Sequence, residues 1–209
     1  MFPSLYAILD ASLAGGRLLP LARELAASSV EIIQYRNKTG STRAAFEACS
    51  EVHAILRGRS RLIVNDRADI AVLCGAGGVH VGQEDIGVDD ARGVCGIERW
   101  VGVSTHNLSQ LNAAIGTSAD YIAVGPIFAT SSKENPDPVV GVEFIRQARQ
   151  LTSKPLVAIG GITLENASEV YEAGADSIAV IRDLITAPDP AARAKEYLSV
   201  AERFRASRN

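Results

Sequence analysis

Gln34, Arg36 and Lys38 stand two residues apart at the end of the apolar run around Ile32-Ile33. Side chains alternate faces along a strand, so these three share one side and continue an inward line begun by Val30 and Ile32. Two cations and an amide held together at a strand's carboxyl end suit an anionic partner, and a phosphorylated ligand is the first that fits. The competing reading is a solvated strand exit with ordinary surface charges. Asp66 and Asp85 then follow two further apolar runs. Carboxylates from neighbouring strand ends would hold one hard divalent ion that also bridges phosphate oxygens, and Mg2+ suits that arrangement; either aspartate alone would rather be a helix cap. The turn Ile159-Gly160-Gly161-Ile162-Thr163 leaves backbone N–H groups free at a helix start, where small residues let a phosphate approach. Thr130, Ser131 and Ser132 add hydroxyl donors, and Lys133 adds a third cation. Together these imply two anionic groups in one mouth. One is served by the metal, Arg36, Lys38 and Lys133; the other by Thr130, Ser132 and the glycine turn. There is no HExxH, and His53, His80 and His106 are not spaced as ligands on one helix, which argues against zinc.

The elements that position these groups recur along the whole chain. Short β-rich runs lie at Leu5 to Leu9, Val30 to Tyr35, Arg61 to Val64, Gly78 to Val81, Trp100 to Val103, Tyr121 to Val124, Pro155 to Ile159 and Ser177 to Ile181. Alanine-rich amphipathic stretches follow most of them: Leu18 to Ala27, Thr42 to Leu56, Leu108 to Ile115, Val142 to Leu151, Ala167 to Ala173 and Ala191 to Phe204. Ser41, Asn107, Thr163 and Asp189 are the expected caps. Ala68 to Cys74 is the weakest helical unit. Eight alternating units predict a single (β/α)8 TIM barrel over residues 1–209, whose active site is built at the strands' carboxyl ends. A doubly wound open sheet competes. No GxGxxG follows the first strand, however, and the polar groups gather after many strands rather than at one crevice. Asn135-Pro136-Asp137-Pro138 reads as a mobile loop in the sixth unit; whether the segment from Ala129 to Val140 closes over substrates is left open by the sequence, closure being a hypothesis that rests on Lys133 standing in a proline-containing segment.

Composition narrows the partners. The chain has 209 residues, 47% of them hydrophobic, enough for a substantial core. Its 21 basic and 24 acidic residues give a formal charge of −3 with no block of either sign, so general nucleic-acid binding is not expected. Cys49, Cys74 and Cys95 are odd in number and lack CxxC spacing, which suits reduced thiols in core or helix positions. No basic start with an apolar segment opens the chain, and no apolar run approaches the roughly 18 residues that span a bilayer. A cytoplasmic protein without membrane association is expected.

The motifs taken together resemble one family. Gln34-x-Arg36-x-Lys38, Asn65-Asp66, His80-x-Gly82-Gln83-x-Asp85, Gly102-x-Ser104-x-His106, Gly125-Pro126-x-Phe128-x-Thr130-x-Ser132-Lys133 and Gly160-Gly161-Ile162 occur in the order found in thiamine-phosphate synthases, and the likeness runs from the first strand to the last helix. It implies a (β/α)8 enzyme joining 4-amino-2-methyl-5-hydroxymethylpyrimidine diphosphate to a thiazole phosphate, giving thiamine phosphate and pyrophosphate. By this resemblance Asp66 and Asp85 bind Mg2+. Gln34, Arg36, Lys38, Asn65, Ser104 and Lys133 contact the pyrimidine diphosphate. Thr130, Ser131, Ser132, Gly161, Ile181 and Arg182 surround the thiazole phosphate. The implied reaction is a dissociative substitution, with Arg36, Lys38, Ser104 and Lys133 as the catalytic set and no protein nucleophile. Ser132 stands where many relatives have threonine, and Arg182 where a small hydroxyl residue is frequent, so the Arg182 backbone N–H is the better phosphate donor. Two rivals remain: a thiazole tautomerase of the same fold, which has histidine where this chain has Pro126 and lacks the diphosphate set, and a non-catalytic sensor of a phosphorylated precursor. A homo-oligomer is left open.

Overall fold

The computed structural model describes residues 1–130 and 137–206, the last two by backbone alone. Eight parallel strands close on themselves in chain order: β1 (Leu5–Asp10), β2 (Ile32–Arg36), β3 (Arg61–Asn65), β4 (Gly78–Val81), β5 (Trp100–Thr105), β6 (Tyr121–Val124), β7 (Leu156–Ala158) and β8 (Ser177–Val180). Closure is made by β1 and β8, where Leu5 pairs with Ile178 and Ala7 with Val180. Around them lie α1 (Ala11–Ala14), α2 (Leu18–Ala27), α3 (Thr42–Leu56), α4 (Ala68–Leu73), α5 (Val88–Cys95), α6 (Leu108–Ile115), α7 (Gly141–Leu151), α8 (Ala167–Glu172), α9 (Arg182–Ile185) and α10 (Pro190–Ala206). Among the described residues no helix is long and apolar enough to cross a membrane.

Strand alternation divides the core in two. Tyr6, Ile32, Ile63, Tyr121, Ala123, Val157 and Ala179 fill the barrel interior, while Leu5, Ile33, Leu62, Val79, Val101, Ile122 and Ile178 face the helices. Gly102 makes the interior possible at one point, because a Cβ there would run into the Tyr121 ring on the adjacent strand. The lower interior is closed by Phe2 stacked on Trp100, with ring centres 5.2 Å apart, and by the Arg61 guanidinium 4.1 Å from the centre of the Trp100 ring. The space above these aromatic groups is left to polar side chains.

Several boundaries differ from expectation. Val30 lies before β2 and packs in the outer core, so the inward line starts at Ile32. Ser41, Asn107 and Asp189 accept from backbone N–H groups three residues on, at 3.2, 3.0 and 2.9 Å. Thr163 is no such cap: its N–H donates to Asn166 Oδ1 at 2.9 Å, and α8 starts only at Ala167. The sequence Val88-Asp89-Asp90-Ala91-Arg92-Gly93-Val94-Cys95 forms α5 although its pattern is weak, with Asp89 and Asp90 in the first turn favoured by the backbone dipole there.

Candidate active site

The strands' carboxyl ends surround a cavity of about 430 Å³. Gln34 and Arg36 from β2, Asn65 from β3, His80 from β4 and Ser104 from β5 line it on one side. Thr130, Gly160, Gly161, Ile181 and Arg182 line it on the other, between the ends of β6, β7 and β8.

The floor is a continuous chain of hydrogen bonds. Gln34 Nε2 donates to Tyr6 OH at 2.8 Å, and the Tyr6 and Tyr121 hydroxyls lie 3.0 Å apart. Tyr121 OH lies 3.1 Å from His80 Nδ1, and His80 Nε2 lies 2.8 Å from Ser104 Oγ. Burial pushes both phenols up from their usual range, so they remain protonated donors. The arrangement that uses every proton runs one way: from Gln34 through Tyr6 and Tyr121 to His80 Nδ1, then from His80 Nε2–H to Ser104. It leaves the Ser104 hydroxyl proton for a ligand. Asn65 is complementary, since its Nδ2 is buried without a hydrogen-bond partner among the described residues. A buried, unused amide donor is costly unless a ligand accepts from it.

Arg36 is held against Asp10 by an ion pair in which both side chains are largely buried. Asp10 Oδ1 also accepts the Leu13 N–H at 3.0 Å, capping α1. One carboxylate thus fixes both a helix start and the guanidinium that faces the cavity.

Lys38, Asp66 and Asp85 do not line this cavity. They follow β2, β3 and β4, and half-exposed Lys38 is ion-paired with Asp66. Asp66 adopts φ +63°, and its N–H is anchored to His80 O at 2.7 Å; left-handed backbone at a non-glycine residue costs about 1–3 kcal/mol and is concentrated at functional positions. Asp85 Oδ2 accepts the Gly82 N–H at 2.7 Å. Burial raises the Asp66 carboxyl above its ordinary range; Lys38 opposes this, and the adjoining Asp85 carboxyl adds to it. Two carboxylates this close, one of them destabilised as an anion, are a donor set suited to a hard divalent cation. Among the described residues no group of three or more His, Cys, Asp or Glu side chains is placed to hold a metal. This pair would therefore supply two ligands and leave the others to phosphate oxygens and water, the usual pattern for Mg2+.

The glycine turn differs from expectation in its role. Gly160 and Gly161 have φ +89° and +65°, but they do not open a helix. A Cβ on either would strike the segment from Pro126 to Ala129, which bonds to the turn through Ile127 N to Ile159 O at 2.8 Å and Phe128 N to Gly160 O at 3.1 Å. The glycines let two mouth loops lie against each other. Ser131, Ser132 and Lys133 lie outside the described residues, as does half of the segment from Ala129 to Val140.

Sequence reasoning missed Tyr6, Asp10 and Tyr121 and gave His80 no specific role. The alternation Tyr6, Ile8, Asp10 on β1 would have placed Asp10 beside Arg36, its register partner on β2. It also missed Asp183, which accepts from Arg193 at 2.7 Å and from Tyr197 at 2.5 Å, and the contact of His106 Nε2 with Asp137 at 3.4 Å. His106 Nδ1 donates to Gly125 O at 2.5 Å.

Comparisons with known proteins agree with this architecture. A family model described as thiamine monophosphate synthase matches residues 5–184. The chain is 52% identical over 203 residues to a thiamine-phosphate synthase of Koribacter versatilis, covering 95% of each chain. It is 41% identical over 211 residues to one of Methanoregula boonei, covering 98% of each. Among solved structures, thiamine phosphate pyrophosphorylase from Pyrococcus furiosus superposes with a TM-score of 0.87 at 31% identity, over 96% of each chain.

Proposed function

Because the chain belongs to the thiamine monophosphate synthase family, we propose that its cavity joins 4-amino-2-methyl-5-hydroxymethylpyrimidine diphosphate to a thiazole phosphate, forming thiamine phosphate and pyrophosphate. The observation that carries this reading is that one cavity has two differently built ends: the buried amide and hydroxyl donors of β2 to β5, and the Gly160-Gly161 turn after β7 flanked by the segments after β6 and β8. The first end suits a flat heterocycle with hydrogen-bonding edges. The second suits a compact phosphate that meets backbone N–H groups.

In this mechanism Gln34, Asn65 and Ser104 orient the pyrimidine ring, with the tyrosine and histidine chain beneath fixing Gln34 and Ser104. Arg36 and Lys38, joined by Lys133, stabilise negative charge on the departing pyrophosphate by preorganised electrostatics. Asp10 holds Arg36 in place. Asp66 and Asp85 would hold Mg2+, which when bound neutralises pyrophosphate charge as a Lewis acid. The ring keeps its position as the carbon–oxygen bond breaks, and the thiazole nitrogen attacks the resulting cation. Thr130, Ser131, Ser132, Gly161, Ile181 and Arg182 position the thiazole phosphate for that attack. No side chain forms a covalent intermediate.

The test is pyrophosphate release by the purified chain with both substrates and Mg2+, omitting each in turn. Release that needs all three and yields thiamine phosphate is expected. Tight thiazole-phosphate binding without release would overturn the reading. Asp85→Asn should lower turnover by about 100-fold or more while thiazole-phosphate binding survives; a protein that only senses the precursor would have no turnover to lose.

A further inference from the structure

Cys49 and Cys74 lie on the outer shell, away from the cavity. Cys49 is fully buried on α3. Cys74 is the partly exposed residue that ends α4. Their sulfurs are 3.1 Å apart, about 1 Å more than a disulfide bond, and both are free thiols. Cys95, the third, is buried, and its Sγ faces Ala68 O at 4.0 Å. The surroundings of the pair distinguish its two members. Cys74 is reached by solvent and lies near the backbone N–H of Ala76 and the positive Arg99. Cys49 lies one helical turn before His53, whose ring flanks Gly75, and has no route to solvent of its own. One thiol is exposed to small oxidants and the other is stationed behind it. Among the described residues no third ligand makes this a metal site.

We propose that Cys49 and Cys74 form a peroxide-responsive dithiol site, which closes reversibly to an intramolecular disulfide between α3 and the end of α4. A hydroperoxide is the oxidant. The Cys74 thiolate attacks one peroxide oxygen, the O–O bond breaks, and the departing oxygen takes a proton to leave water from H2O2 and Cys74 sulfenic acid. Cys49 sulfur then attacks the Cys74 sulfur and loses its proton, and the S–O bond breaks to release a second water. Both electrons accepted by the peroxide come from the two sulfurs, one from each. Supporting this order, the hydrogen bond from Cys49 brings the Cys74 thiol down to about 7, while the same contact, with burial, pushes Cys49 up. Attack on peroxide begins at Cys74, the partly exposed member of the pair.

The site is independent of the barrel mouth, so its failure would leave the proposed reaction untouched. The full chain is treated with stoichiometric H2O2, alkylated under denaturing conditions, digested with trypsin and mapped by mass. The expected product has lost about 2 Da, joins peptide 44–57 to peptide 68–92, leaves Cys95 alkylated, and returns to the starting mass with dithiothreitol. Cys49→Ala should instead stop at a dimedone-reactive sulfenic acid on Cys74, and Cys74→Ser should leave Cys49 unoxidised. Sulfinic acid on Cys74 with Cys49 still free in the wild type, a bridge involving Cys95, or a bridge between two chains would each overturn the proposal.

Discussion

The Asn65 amide distinguishes a ligand-binding site from a merely polar barrel end. Its buried Nδ2 has no partner among the described residues, so the folded protein bears a desolvation cost of about 1–3 kcal/mol that a bound substrate would offset. Asn65→Leu should raise KM for pyrimidine diphosphate at least 10-fold while leaving the melting temperature unchanged or higher; unchanged kinetics would remove Asn65 from the site. Cys74 gives a second test at this scale. Its thiol is held near 7 by the Cys49 hydrogen bond, so thiolate is the minor form below that pH and the major form above it. Iodoacetamide should modify Cys74 with a midpoint near pH 7, whereas Cys95, whose thiol burial pushes up, should react only at higher pH or after unfolding. Individual residues were legible in the sequence where strand periodicity and polar character coincided, as at Gln34 and Arg36, whereas a role for Asn65 came only with the family resemblance. They were hidden where the partner came from a distant segment: Tyr121 is 115 residues from Tyr6, and nothing local to either residue announces the bond.

At the scale of elements, the spacing of apolar runs located all eight strands to within two residues, because a parallel strand covered on both faces is apolar throughout. Helices were legible where a cap preceded an amphipathic run, as at Ser41 before α3. They were lost where the helix was short or polar, as in α1, α5 and α9, which form because the barrel supplies a surface to pack on rather than by propensity. Thr163 misled for a related reason: the glycine turn before it is stabilised by its contact with the loop after β6, a tertiary feature. Glycine substitutions separate these influences. Gly102→Ala places a methyl group in the space of the buried Tyr121 ring and should cost about 1–3 kcal/mol, lowering the melting temperature and slowing turnover through the displaced His80 and Ser104. Gly93→Ala, within α5 with nothing within 4 Å of its added Cβ, should stabilise by about 0.5–1 kcal/mol. Equal melting temperatures for the two variants would show that the interior yields more easily than its packing implies.

Across the whole molecule, barrel closure sets the last helix behind the site, where it braces one of the mouth loops. Tyr171 OH donates to Ser4 O at 3.0 Å across the β1–β8 seam, and α10 packs on α2, α8 and α9. From α10, Arg193 and the buried Tyr197 both donate to Asp183, which lines the cavity beside Arg182 on α9. A helix that contributes no residue to the lining therefore sets the position of the loop proposed to meet the thiazole phosphate. Removing the Tyr197 hydroxyl leaves Asp183 with one charged donor in place of two donors, and α9, only four residues long, has few bonds of its own to hold it. Tyr197→Phe should raise KM for thiazole phosphate about 3- to 10-fold, a loss of 0.7–1.4 kcal/mol in binding at about 1.4 kcal/mol per tenfold, with kcat and the KM for pyrimidine diphosphate changed less than about twofold. Arg193→Met should act in the same direction, and the double variant should fall short of the sum, because both groups act through one carboxylate. Equal increases in both KM values would mean that α10 supports the barrel as a whole and not the thiazole end in particular.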